Sequence, residues 1–354
     1  MKTILFGSLI LLFSNTLLAL EPKAELANKL KQSIVKVHVA TQSGAHGVGT
    51  GVVIDKDLVV TNCHVLAGSN GVSITKYGEN FAPVGLRADW RHDLCLLRFE
   101  YLTVNPVELG DSESLKYEQF VFAIGFPGGP PKPQTTWGNI KALYPLDDSQ
   151  IIRTNASFVM GASGSPLFDE AGKLVGINTF KSPGRDAFYY NVPVKWVKAL
   201  KNLPETPLVK DGEAAFWDAP IEARPYFMQI VLPLQNQQWQ VLGNVASKWL
   251  AKEPNNVEAL FYQSIAYERL GNIEEAKKGF EQVLSVNHLH TGALFELGAM
   301  ANKAGNQAEL NTRILALKSI DEDLVEQFNY MIHPNADGLT TQVSDTSPPK
   351  AAAK

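Results

Sequence analysis

Between residues 34 and 200, apolar and β-branched side chains recur in runs of four to eight, bounded by Gly, Asp, Asn or Pro. Such runs include IVKVHVA (34–40), GVVI (51–54), LVVT (58–61), GVSIT (71–75), LCLLRF (94–99), FVFAIGF (120–126) and KLVGINTF (173–180). Short β-branched runs with breakers on both sides predict the strands of an all-β sandwich or pair of barrels. No helical period interrupts them until Lys195 to Leu200, where a short helix is expected.

The texture changes near Pro204. Residues 204–222 show no clear period and read as a linker, and residues 223–330 become helical and self-similar. Ala259-Leu260-Phe261 recurs as Ala293-Leu294-Phe295 and Gly271 as Gly305, both at an offset of 34 residues (293−259 and 305−271). That is the tetratricopeptide period. Ser264 and Gly298 match at the same offset, where a first helix must approach its partner closely, and Tyr267, Ala276, Phe280 and Val283 fall at packing positions of the first unit. The second unit, 291–324, is more degenerate, with Leu310 in place of a small residue. Pro254 sits where a preceding unit would end. A generic pair of α-hairpins is the alternative reading.

Both ends of the chain read differently from its middle. Lys2, an apolar run from Ile4 to Phe13 and the small Ala19 predict a signal peptide over residues 1–20. Ser14, Asn15 and Thr16 break the run short of the ~20 residues a spanning helix needs, so no membrane span is expected after cleavage. Residues 331–354, rich in Asn, Asp, Ser, Thr, Pro, Lys and Ala, have little to bury and are expected to be disordered.

Charge removes one class of partner. A formal net charge of −4 offers no broad electrostatic grip on nucleic acid. The histidines His38, His46, His92, His288, His290 and His333 show no ligand spacing, so neither metal nor cofactor is expected.

Three short elements carry candidate chemistry. In VVTNCHVLAG (59–68), His64 follows a strand; in RHDLCLLRF (91–99), Asp93 precedes one; in GASGSPLF (161–168), Ser163 lies on a tight loop between two glycines. Hydroxyl-mediated amide hydrolysis needs a base, a carboxylate that holds the base in its tautomer, and paired amide N–H groups for the oxyanion. Gly161 and Gly164 permit backbone torsions that let N–H groups converge.

In the order His, Asp, Ser, these elements resemble the trypsin-like serine proteases, most closely the bacterial HtrA/Deg-type branch with its T-N-x-H-V, D-L/I-A-L-L and G-N-S-G-G motifs. The resemblance covers residues 34–200. It implies a multidomain chain: a double-barrel, all-β protease domain over residues 21–203, the linker, and an all-α repeat domain. It also implies a bacterial periplasmic or secreted serine endopeptidase acting on a protein or peptide substrate, with the repeats holding substrate or a protein partner. A catalytically silent protease-fold scaffold is the rival reading.

By the same resemblance Ser163 is the nucleophile, His64 the general base and Asp93 the orienting carboxylate, with the N–H groups of Gly161 and Ser163 as the oxyanion hole. Ser157, Phe158, Asn178, Thr179, Phe180 and Tyr190 match the positions that shape side-chain selection. With no acid six residues before Ser163, uncharged small or medium apolar side chains are expected. Two departures stand out: Ala162 replaces an Asp that pairs with a new N-terminus in digestive members, and Ser165 replaces a Gly. Cys63 and Cys95 flank the His and Asp motifs and form either one disulfide or two buried thiols.

Overall fold

The computed structural model describes residues 17–41, 44–183, 187–208 and 212–333. Most of the expected signal segment and tail lies outside the described residues. A helix the hydrophobic pattern did not announce, α1 (Leu17–Leu30), comes first. Its Leu26 and Leu30 pack against the core beside Gly172, where a Cβ would stand 3.0 Å from Leu26 Cδ1.

The first β module contains β1 (Ile34–Thr41), β2 (His46–Asp55), β3 (Leu58–Thr61), the one-turn α2 (Cys63–Leu66), β4 (Ser69–Lys76), β5 (Glu79–Phe81), β6 (Gly85–Asp89) and β7 (Leu94–Arg98). Its strands pair antiparallel in the order β5-β4-β1-β2-β3-β7-β6. Val35, Val37 and Val39 alternate along β1 into one core with Val53, Val59 and Leu97. Each such buried aliphatic side chain contributes about 1.5–3 kcal/mol over exposure.

The second module contains β8 (Phe120–Gly125), β9 (Gln134–Leu146), β10 (Ser149–Thr154), β11 (Pro166–Asp169), β12 (Leu174–Lys181) and β13 (Tyr189–Pro193). These close into a barrel in the order β10-β13-β12-β11-β8-β9. The two expected β modules are thus present, the first as a seven-stranded sheet and the second as a closed barrel. The edge strand β6 finds its next partner outside the sheet: Leu86 and Thr206 exchange backbone hydrogen bonds of 3.1 and 2.8 Å. Pairing of this kind protects an edge that would otherwise present unpaired amides.

The short helix expected near Lys195 is α3 (Val194–Leu200). Residues 204–222, which read as a linker, include side chains that are not exposed. Ala215 and Phe216 are buried, and Phe216 packs edge-on against Phe180 of β12.

Helices follow: α4 (Tyr226–Gln229), α5 (Val231–Gln235), α6 (Trp239–Lys252), α7 (Val257–Arg269), α8 (Ile273–Val286), α9 (Thr291–Lys303), α10 (Gln307–Ile320) and α11 (Glu322–Ile332). The starts of α7 and α9, and those of α8 and α10, are each 34 residues apart (291−257 and 307−273). Within the α7–α8 pair, a Cβ on Gly279 would stand 2.0 Å from Ser264 Oγ, so the two small residues permit the close approach. Gly298 serves a different neighbour, because a Cβ there would meet Phe328 of α11 at 2.6 Å. No helix among the described residues is long and apolar enough to cross a membrane.

Candidate active site

The three sequence elements converge where the open sheet meets the barrel. His64 lies on α2, directly after β3, while Asp93 ends the turn into β7. β3 and β7 are neighbours in register, with Thr61 opposite Cys95, and this pairing brings the two elements together. A disulfide joins Cys63 to Cys95 across the same pair, with Cα atoms 4.9 Å apart.

Asp93 is held from every side. Its φ of +58° lies in the left-handed region, which Asp tolerates better than most residues. Its amide donates to Trp90 O at 3.1 Å, and its carbonyl accepts from Cys63 N at 3.3 Å and Asn62 Nδ2 at 2.9 Å. The carboxylate is 1% exposed. Oδ1 accepts the His64 amide at 2.8 Å, and Oδ2 lies 2.6 Å from His64 Nδ1. With Nδ1–H directed at the carboxylate, the neutral imidazole presents Nε2 as its free base.

Ser163 and His64 line one cavity of about 450 Å³, together with Gly161, Met160, Val65, His46 and the Gly128-Gly129 turn. No hydrogen bond links Ser163 Oγ to His64 among the described residues. Gly128 N donates to Met160 O at 2.6 Å. In a trans peptide the N–H points opposite to the C=O, so this anchor turns the Gly161 amide the other way. Neither Gly161 nor Ser163 gives its amide to a protein acceptor among the described residues. Gly161 has φ +91°, and a Cβ there would stand 2.5 Å from Phe126 O.

Thr50 of β2, which the motifs did not single out, ties this loop to the open sheet. Its amide donates to Ser163 O at 2.8 Å, and its hydroxyl donates to Gly161 O at 2.8 Å and accepts from Phe126 N at 3.0 Å. A Cβ on Gly164 would stand 2.1 Å from Thr50 O, so the loop can reach the sheet only with glycine there. The sole sequence signal was the glycine-rich run GVGTGVV around Thr50. Ser165 is buried beside Gly125, where a Cβ would stand 1.8 Å from its Oγ. A glycine on β8 thus makes room for the departure at residue 165.

The positions expected to shape side-chain selection separate. None of Ser157, Phe158, Asn178, Thr179, Phe180 and Tyr190 lines the cavity shared by His64 and Ser163. Ser157 is exposed, and Phe158 is buried against Tyr189. Asn178 braces the Ser163 loop through its backbone, accepting from Gly164 N and donating to Ser165 O, while Thr179 Oγ1 accepts from Asn62. Phe180 stacks on Tyr190 at 4.6 Å, and both line a second cavity of about 190 Å³ with Trp217, Ile221, Met228 and Leu232.

Trp217 is a site residue hidden by the linker reading. Its Nε1 donates to Asp93 Oδ2 at 3.1 Å, and its ring meets His64 edge-on at 5.4 Å. The hint was an aromatic pair, Phe216-Trp217, in a stretch with no clear period.

Residues 49–177 match the family described as Trypsin-like peptidase domain. The chain is 32% identical over 183 residues to a probable periplasmic serine endoprotease, DegP-like, of Pseudomonas putida, covering 49% of this chain and 37% of that protein. It is 34% identical over 160 residues to the serine protease Do-like HtrB of Bacillus subtilis, covering 41% and 35%. It thus spans little more than a third of the length of these relatives. Among solved structures, the active form of the Rv3671c protease of M. tuberculosis is similar, with 24% identity, a TM-score of 0.49, and coverage of 61% of this chain and 98% of that one. Within the β-rich half, residues 49–177 therefore match a trypsin-like peptidase domain, and the chain is similar over part of its length to DegP-like and Do-like serine proteases.

Proposed function

We propose that the chain is a serine endopeptidase that hydrolyses peptide bonds through an acyl-enzyme. His64 takes the Ser163 proton as the hydroxyl attacks the scissile carbonyl, and then returns it to the leaving amine. Asp93 keeps the imidazole in its Nδ1–H tautomer and stabilises the imidazolium. The Gly161 and Ser163 amides receive the oxyanion. Water repeats the sequence on the acyl-enzyme.

The observation that carries this reading is the 2.6 Å His64–Asp93 contact at a buried carboxylate, beside a cavity that His64 shares with Ser163. The name of the Pseudomonas putida relative further supports work in the periplasm on protein substrates. The 34-residue spacing of α7–α10 supports a tetratricopeptide-like array that recruits substrate or a protein partner.

Labelling with a fluorophosphonate probe tests the activity. Ser163-dependent labelling, lost in Ser163→Ala, is expected. Absence of that adduct from the folded protein favours the silent scaffold.

A further inference from the structure

We propose that Trp217 is a positioning residue for the Asp93–His64 pair, so that the segment beyond the matched peptidase region completes the active site. The inference rests on the peptidase reading.

A buried carboxylate must have its oxygens met by donors, or its charge is left unpaired in a poorly solvating surrounding. Oδ1 of Asp93 has the His64 amide, but Oδ2 has, among the described residues, only two donors, His64 Nδ1 at 2.6 Å and Trp217 Nε1 at 3.1 Å. The imidazole must change its protonation during the reaction, and its ring is about one-third exposed. The indole has no such task. It therefore gives Oδ2 a fixed second donor, which keeps the carboxylate aimed at Nδ1 throughout the cycle.

The indole is itself well held. It stacks on Phe180 of β12 at 5.7 Å with an interplanar angle of 20°. The adjacent Phe216 packs edge-on against the same ring at 5.7 Å, and its amide donates to Arg91 O at 3.0 Å. At the start of the strap, a Cβ on Gly212 would stand 2.1 Å from Trp90 Cγ, so the chain lies directly on that indole. Residues 212–218 are thereby seated along the 90–93 turn and carried across to β12. The strap then leads into Ile221 and Met228, which line the same cavity as Trp217. Residues outside 49–177 thus set the geometry of a carboxylate within it.

The test uses the full chain and the rate of Ser163 phosphonylation by a fluorophosphonate, resolved into kinact and KI and normalised to the sites finally labelled. Trp217→Phe keeps an aromatic ring but loses the N–H. It should lower kinact by ~10-fold, the order expected for a lost hydrogen bond to a charged group, with KI within about twofold. Asp93→Gly removes the acceptor while accepting the left-handed φ. In that background Trp217→Phe should cause no further fall, because no bond remains to be lost.

An unchanged kinact in Trp217→Phe, or losses that simply add in the double variant, overturns the proposal. Normalisation to labelled sites removes any contribution from misfolded protein. If the unsubstituted protein shows no Ser163-dependent label, the peptidase reading falls and takes this inference with it. If it labels normally and Trp217→Phe does too, only this inference falls.

Discussion

Arg153 on β10 and Glu258 on α7 form a largely buried ion pair at 3.3 Å, joining the barrel to the helical region. Arg153 also donates to the hydroxyls of Tyr144 at 2.9 Å and Tyr262 at 2.8 Å, and Glu258 Oε1 lies 3.2 Å from His290 Nε2. Burial pushes the Glu258 carboxyl up, but Arg153 and His290 outweigh it and hold the group below the usual range. Tyr117 adds a neutral link, its hydroxyl accepting the Thr291 amide at 3.1 Å. The helices are therefore docked on the barrel through specific polar contacts as well as apolar ones.

Removing one member of such a pair leaves the other buried and unmatched. Arg153→Met should destabilise the full chain by about 3–5 kcal/mol in urea unfolding. Arg153→Met combined with Glu258→Met should be markedly milder than the sum of the single changes, because no charge is then stranded. Additive losses would show that the pair is not coupled.

The triad reading predicts a ranking of variants. Ser163→Ala should lower kcat by roughly 10⁶ and Asp93→Asn by roughly 10⁴, since the latter preserves shape and the left-handed backbone while giving the imidazole the wrong partner. Peptide-cleavage rates measured on folded variants check the order. Equal losses would contradict an orienting role for Asp93.

The disulfide links residues 32 apart and closes a loop that contains both His64 and Asp93. Restricting an unfolded loop of that size is worth about 3–4 kcal/mol. The double substitution Cys63→Ala and Cys95→Ala should lower stability by that order in denaturant titration. A change below about 1 kcal/mol would show that the surrounding strands already hold the site.

The helical region should respond to pH through Glu296 of α9. Burial, reinforced by the nearby Glu268 carboxylate, pushes its pKa up to about 7 from an ordinary 4.5. A carboxyl whose folded pKa is raised stabilises the fold fully below 4.5 and loses that contribution as pH rises through about 7. Between pH 5 and 8 the Tm of the unsubstituted protein should therefore fall relative to that of Glu296→Gln. Parallel Tm profiles for the two proteins would show that Glu296 is not the titrating group.

The strand runs named from the sequence all fall on observed strands, because alternation of apolar side chains is a local property of a pleated chain. His64, Asp93 and Ser163 each sit at a strand end or tight loop with its own short signal, and the structure sets His64 against Asp93 and beside the cavity that Ser163 lines. The helix starts repeat every 34 residues, as the sequence period required. Side-chain selection was far less legible. Asn178 braces the Ser163 loop through its backbone, Thr179 bonds Asn62, and Phe180 and Tyr190 line a separate cavity.

By itself, then, the sequence determined the element types, the order of the chemical motifs and the repeat period, all of which depend on neighbours a few residues away. Tertiary structure alone decided that Trp217 meets Asp93 across 124 residues, that Thr50 holds the Ser163 loop, and that Arg153 finds Glu258. A hydrogen-bond donor or a charge carries no mark of its partner in the chain. That choice is made when packing excludes water and leaves each buried polar group only the partners within reach.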